Sequence, residues 1–175
     1  KMANNPIFHC EHFFIYGTLL PGQCRWYLLE NANARIVGSA TTTGWLLDLG
    51  DYPGLVSEEW FAQTGHSKPA GPTKSIVLGQ VVSVPDWEAA CRTLDEEEDC
   101  LCSDPGLDPH GQPIRVSAEL GVGLYVRRLQ RIILADGHAA WAWTYLYNQT
   151  RKSPIWIDTG NWLLARNEQS PRSGK

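Results

Sequence analysis

Residues 13–23 read FFIYGTLLPGQ. Phe13 to Tyr16 are aromatic or β-branched, the side chains that suit a half-buried strand. Gly17-Thr18 interrupts them, Leu19-Leu20 restores apolar character, and Pro21-Gly22 turns the chain. The stretch predicts a strand over residues 12–20 that runs into a glycine turn. That turn is either a plain corner or a place where backbone N–H groups are freed to hold a ligand.

Working outward, residues 33–38 and 43–49 are shorter strand candidates, and Asp51-Tyr52-Pro53-Gly54-Leu55 turns between extended pieces. Residues 57–74, with Gly65, Pro69, Gly71 and Pro72, read as a long loop. Ser75 to Val84 alternates as a strand does. Pro85-Asp86-Trp87 opens the clearest helix, because Trp87, Ala90, Cys91 and Leu94 share one apolar face. Asp86 and Glu88 near its start suit the positive end of the helix dipole. Residues 99–122 carry prolines and glycines with little periodicity and read as an excursion. Residues 123–134 and 138–147 are strands joined at Asp136-Gly137. The tail after Arg166 is polar and reads as frayed. No internal repeat is visible. One helix among many strands predicts an α+β protein, a compact mixed β-barrel or strongly curled sheet with few helices.

The chain has 175 residues, enough for one domain with a real core. Its net charge is −4 and its fifteen basic residues form no run, which argues against a nucleic-acid partner. No apolar stretch approaches the roughly 20 residues of a membrane helix. The first residues, KMANNPIF, lack the apolar core of a signal peptide. Five cysteines, an odd number, argue against a disulfide framework and for a reducing cytoplasm. Eight tryptophans are many for this length; Trp141 and Trp143 alternate, as residues packing a β core or lining a cavity do. Cys100-x-Cys102 with His110, and His9-Cys10-x-His12, lack the second ligand pair of a zinc site, so no metal is expected. No Gly-x-Ser-x-Gly or Cys/His constellation points to an esterase or thiol protease.

The run LDEEED, Leu94 to Asp99, is the sharpest chemical clue. At about 100° per residue, Asp95, Glu96 and Glu97 fall about 100°, 200° and 300° from Leu94, whereas Glu98 returns to within about 40°. Asp95, Glu96 and Glu97 are therefore expected in solvent. Glu98 is expected inside, if the helix persists that far. An inward carboxylate is costly unless paired or protonated, and desolvation raises its pKa toward the range useful for proton transfer. Glu98 is thus a general acid/base candidate.

Four pieces taken in order carry a family resemblance. They are Tyr16-Gly17-Thr18-Leu19 after a strand, Tyr52-Pro53-Gly54-Leu55, a helix ending Leu94-Asp95-x-x-Glu98, and Tyr125-x-Arg127 opening a strand. Together with the later Tyr145-Leu146-Tyr147 and Gly160-Asn161-Trp162, they resemble the gamma-glutamylcyclotransferase-like proteins, which include γ-glutamylamine cyclotransferases and avirulence-induced plant relatives. The resemblance spans roughly residues 13–163. It implies a mixed barrel with a cavity at one end. The N–H groups of the Tyr16-Gly17-Thr18-Leu19 turn would bind the glutamyl part of a substrate there, and Gly17 would let the ligand approach closely. Tyr52 and Tyr125 either line that cavity or cover the core, and Arg127 shares the face of Tyr125 on the strand.

The reaction so implied is intramolecular. The α-amine of a γ-glutamyl group attacks its own γ-carbonyl, releasing 5-oxoproline and the amine once attached, with Glu98 as general acid/base. It calls for a small-molecule γ-glutamyl substrate and no cofactor. The expected organisation is one domain over 12–166, an insertion at 99–124, and flexible termini at 1–11 and 167–175. Two features depart from the family pattern. Asp99 follows the glutamate where glycine is common, and 26 residues, Asp99 to Leu124, separate Glu98 from Tyr125 where a handful is usual. The insertion is a lid, a partner surface or a tolerated loop. Because it adjoins the chemistry, a non-catalytic binding or interaction module on the same fold is the alternative function.

Overall fold

The computed structural model describes residues 10–71 and 75–169. The chain runs β1 (His12–Ile15), α1 (Trp26–Asn31), β2 (Arg35–Thr43), β3 (Trp45–Asp48), β4 (Pro53–Val56), α2 (Glu58–Thr64) and β5 (Ile76–Ser83). It continues α3 (Trp87–Glu97), β6 (Cys100–Ser103), β7 (Gly106–Leu107), β8 (Pro113–Ile114), β9 (Tyr125–Leu134), β10 (Ala139–Tyr147) and α4 (Trp162–Gln169). Strands β10, β1, β5, β2 and β9 pair in that order, and β9 pairs back to β10. The sheet is thereby closed into a mixed barrel in which only the β1–β10 pair is parallel.

Strand alternation sends apolar side chains to both faces of this sheet. Phe13, Val82, Leu129 and Trp143 join Leu29 of α1 and Ala90, Cys91 and Leu94 of α3 in one cluster. Phe14, Ala40, Val81, Ile132 and Ala142 form the other, with Trp162 of α4. The two faces of the sheet are thus covered differently: α1 and α3 pack on the first cluster and α4 reaches the second.

The barrel loosens at one end, and that end carries the site. Strand β10 pairs with β1 at Trp143 but with β4 at Leu146. Strand β9 pairs with β2 near Leu134 but with β6 near Tyr125. Strand β1 therefore leaves the sheet after Ile15, earlier than the residue 20 expected, and residues 16–20 become a turn in the gap.

Other expectations are corrected in the same way. Residues 35–43 form one strand with a bulge between Ile36 and Gly38, running past the expected end at 38, and the next strand, 45–48, falls within the expected 43–49. Within the expected 57–74 loop lies α2, which Gly65 ends at φ 74°. Its apolar content is Trp60 and Phe61, packed on Trp45 and Trp156. Two adjacent aromatics show no period, so the helix is silent in the pattern. Helix α1 has only six residues and was not anticipated. Helix α4 continues through Gln169, beyond Arg166 where fraying was expected; residues 1–9 and 170–175 lie outside the described residues.

The 99–124 segment is built into the barrel wall. Strand β6 lies parallel to β9, and β7 and β8 make a small hairpin. Its anchor is Asp104, whose carboxylate is fully buried. Oδ1 accepts from Arg128 Nη1 at 2.7 Å and from the Val116 N–H at 3.2 Å; Oδ2 accepts from Arg115 Nη1 at 2.6 Å and from the Leu129 N–H at 3.3 Å. At the far end, Asn148 Nδ2 donates to Glu119 O and Val122 O. Among the described residues, no helix is long and apolar enough to cross a membrane.

Candidate active site

At the loosened end of the barrel, a small cavity opens beside the β1 turn. It brings together Tyr16, Gly17, Thr18, Leu19, Tyr52, Glu98 and Tyr125, every residue the sequence put forward for the site. The turn is closed by Leu20 N–H donating to Gly17 O and Arg25 N–H donating to Thr18 O, each at 3.0 Å. The N–H groups of Gly17, Thr18 and Leu19 make no hydrogen bond among the described residues. All three residues are buried. A buried N–H without an acceptor is costly, and several in succession form a concavity suited to a carboxylate.

Packing gives glycine at position 17 a reason of its own. A Cβ there would stand 2.6 Å from Cγ and 2.8 Å from Cδ of Pro53. What approaches Gly17 is therefore the proline ring of the Tyr52-Pro53-Gly54 turn. Two tyrosines fasten the same corner. Tyr16 Oη donates to Tyr145 O at 2.7 Å and accepts from the Leu55 N–H at 3.2 Å. Tyr125 Oη donates to Pro53 O at 2.7 Å. Burial pushes both phenols above their ordinary pKa, so both remain neutral donors. Tyr52 is half-buried on the cavity wall, with the Arg25 guanidinium 6.0 Å from its ring centre.

Glu98 caps α3, and its residue is 5% exposed. Burial raises its pKa from 4.5 to about 7; Arg25 pulls it down and Glu97 pushes it up. Arg25 reaches it only loosely, Nη1 to Oε1 3.5 Å, while Arg25 Nε holds Glu97 at 3.2 Å. Sequence reasoning missed Arg25. Its one available mark was being the sole Lys or Arg between residues 2 and 34.

Two acids expected in solvent are engaged. Glu97 pairs with Arg25, and Asp95 takes Arg127 in a two-pronged pair, Nε to Oδ1 at 2.9 Å and Nη2 to Oδ2 at 3.1 Å. Arg127 therefore stands apart from the cavity, stacked 4.8 Å from the Trp143 ring centre. Cys100 Sγ donates to Cys102 O at 3.2 Å, and among the described residues no three His, Cys, Asp or Glu side chains converge as metal ligands would. His9 lies outside the described residues.

Asp99, the departure from glycine, sits at φ 47°, in the left-handed region just past the helix end. Glycine is favoured there because a Cβ is strained. Asp99→Gly is therefore expected to stabilise the protein by about 0.5–1 kcal/mol. Urea unfolding should show a higher midpoint at unchanged slope; a lower midpoint would contradict this. Among the described residues, none from 99–124 lines the cavity.

Comparison with known proteins gives the family and bears on the fold. A profile of the family described as "Gamma-glutamyl cyclotransferase, AIG2-like" matches residues 13–164. The crystal structure of an AIG2-like protein from Mus musculus is similar, at TM-score 0.57 and 18% identity, covering 96% of this chain and all of that one. An uncharacterized protein from Pyrococcus horikoshii matches at TM-score 0.55 and 16% identity, covering 94% of this chain and 100% of its own. YkqA from Bacillus subtilis matches at TM-score 0.56 and 18% identity; 91% of this chain corresponds to 43% of that one. At these identities the structural likeness speaks for the fold. No curated protein matches the chain. With a family match over nearly its whole length, the chain belongs to the gamma-glutamyl cyclotransferase, AIG2-like family.

Proposed function

We propose that the protein is a γ-glutamyl cyclotransferase, converting a γ-glutamyl amine or peptide to 5-oxoproline and a free amine. One observation carries this reading: a buried carboxylate, whose pKa burial raises, shares a small cavity with three backbone N–H groups that make no hydrogen bond among the described residues. The N–H groups of Gly17, Thr18 and Leu19 receive the α-carboxylate of the substrate. The α-ammonium then lies toward Glu98. Ionised Glu98 takes a proton from it, and the freed amine attacks the γ-carbonyl carbon. A C–N bond forms and the carbonyl electrons move to oxygen. The carboxyl proton passes to the departing nitrogen, the old C–N bond breaks, and the carbonyl re-forms.

Of the three ammonium protons, one remains on the lactam nitrogen and two leave with the product ammonium. Glu98 carries them one after the other and ends ionised, so no water is consumed. Because both reacting groups belong to one molecule, most of the acceleration comes from holding the chain folded. Tyr125, Tyr16 and Pro53 keep that space rigid.

A panel of γ-glutamyl amines, amino acids and peptides, assayed for 5-oxoproline, tests the proposal. At least one should be turned over. Tight binding without release would instead favour a binding module.

The protonation logic gives a second expectation. Glu98 must be ionised to begin, so kcat/KM should fall about tenfold per pH unit below pH 7. Arg25 holds the Glu98 pKa down. In Arg25→Gln the acid limb should therefore move to higher pH while the plateau changes less. An acid limb at the wild-type position would contradict the role of Arg25.

A further inference from the structure

Glu98 sits at the end of its helix. It is the cap residue of α3, and its N–H bonds to Leu94 O at 2.8 Å. Helix ends fray, and the left-handed residue that follows sends the chain away into β6. Arg25 touches Glu98 only at 3.5 Å and is shared with Glu97. Something else has to hold the last turn against the barrel.

Asp95 is placed to do so. It lies three residues before Glu98, hence on a neighbouring stripe of the helix. Its Oδ1 accepts from Tyr145 Oη at 2.7 Å and from Arg127 Nε at 2.9 Å, and its Oδ2 from Arg127 Nη2 at 3.1 Å. These partners come from the two adjacent strands β9 and β10, paired in register at Tyr145 and Arg127. Arg127 is itself pinned against Trp143. The chain of contacts then continues into the site. Tyr145 lines the cavity, and its carbonyl accepts from Tyr16 Oη, the first residue of the β1 turn.

We propose that Asp95 is a positioning residue: its clamp on Tyr145 and Arg127 fixes the last turn of α3, so that Glu98 stays inside the cavity facing the turn of Gly17, Thr18 and Leu19. The proposal rests on the reading of Glu98 as the acid/base. It adds that the carboxylate is kept buried by a second carboxylate which touches no substrate. Charge-assisted, two-pronged pairs of this kind fix direction as well as distance. Arg127 is then a fastening of the helix, and its place on the Tyr125 face reflects that task.

The test uses the full chain as wild type, Asp95→Ala, Asp95→Asn and Tyr145→Phe. Glu98 is titrated by carbon NMR of labelled glutamate, and exchange of the Glu98 N–H is followed in the same samples. Steady-state kinetics are run on a substrate that the wild type turns over. In Asp95→Ala, Glu98 should titrate closer to an ordinary glutamate. Its N–H should exchange at least about tenfold faster, and kcat should fall about 10- to 100-fold with KM within about threefold. Asp95→Asn retains an acceptor for Tyr145 and should lie between. Tyr145→Phe, the mildest change, carries the same readouts if Asp95→Ala fails to fold. Unchanged Glu98 titration and exchange in the variants would overturn the proposal. Because both readouts are independent of turnover, a protein that releases no 5-oxoproline would sink the proposed function while still judging the clamp.

Discussion

Glu98→Gln is expected to lower kcat/KM for 5-oxoproline release by about 10³-fold or more and, at pH 8, to raise the stability of the folded protein. The first effect follows from the two proton transfers assigned to one carboxylate. General acid–base groups contribute about 10²–10⁴-fold each, and an amide can neither accept the ammonium proton nor return it. The second effect follows from burial. The folded pKa of Glu98 is raised from 4.5 to about 7, so the unfolded chain releases this proton first as pH rises. Stability is then lost between pH 4.5 and 7 and stays low above, a penalty on the order of 3 kcal/mol. Glutamine carries no such penalty, and Arg25 keeps Glu97 as its partner. The melting temperature of Glu98→Gln should thus exceed the wild type at pH 8 and approach it near pH 5. A variant that keeps wild-type turnover, or is less stable than wild type at pH 8, would contradict the assignment.

Asp104→Ala is expected to be the most damaging single change outside the cavity, costing about 3–5 kcal/mol. The carboxylate accepts from two arginines and two backbone N–H groups. Arg128 is almost fully buried, and its other carboxylate partner, Glu59, is 3.6 Å away. Removing Asp104 leaves a buried cation and several donors short of acceptors. It also removes the side-chain tie between the 99–124 segment and β9, leaving the β6–β9 backbone pairing. Urea unfolding should show the loss directly. Whatever folded fraction remains should keep the wild-type KM, because the segment lines no part of the cavity. A loss below about 1 kcal/mol would mean that the segment is fastened elsewhere.

The barrel was legible because its strands carry dense aromatic and β-branched runs, and β9 and β10 meet at an unmistakable Asp136-Gly137 turn. Glu98 was legible because α3 is regular enough for a wheel to count four residues on from Leu94. Asp95 was misread by the same wheel. Its partners, Arg127 and Tyr145, lie 32 and 50 residues away, and a helical pattern cannot announce a pair made across the sheet. The N–H groups of the β1 turn, without a partner among the described residues, are backbone atoms, so composition hinted at them only through Gly17. Pro53, which occupies the space glycine leaves, was not part of that hint. The 26-residue departure looked like a threat to the chemistry in sequence. In space it is fastened to the barrel, because β6 pairs with β9 and Asp104 accepts from Arg128 and the Leu129 N–H.

The central claim is that the γ-glutamyl group closes on itself with Glu98 moving the protons and no water entering. The most direct measurement is turnover in ¹⁸O-labelled water with products read by mass spectrometry. The account predicts 5-oxoproline free of ¹⁸O and an equal amount of amine from the wild type, and neither above background from Glu98→Gln. Glutamate labelled with ¹⁸O, or equal release by the variant, would contradict it.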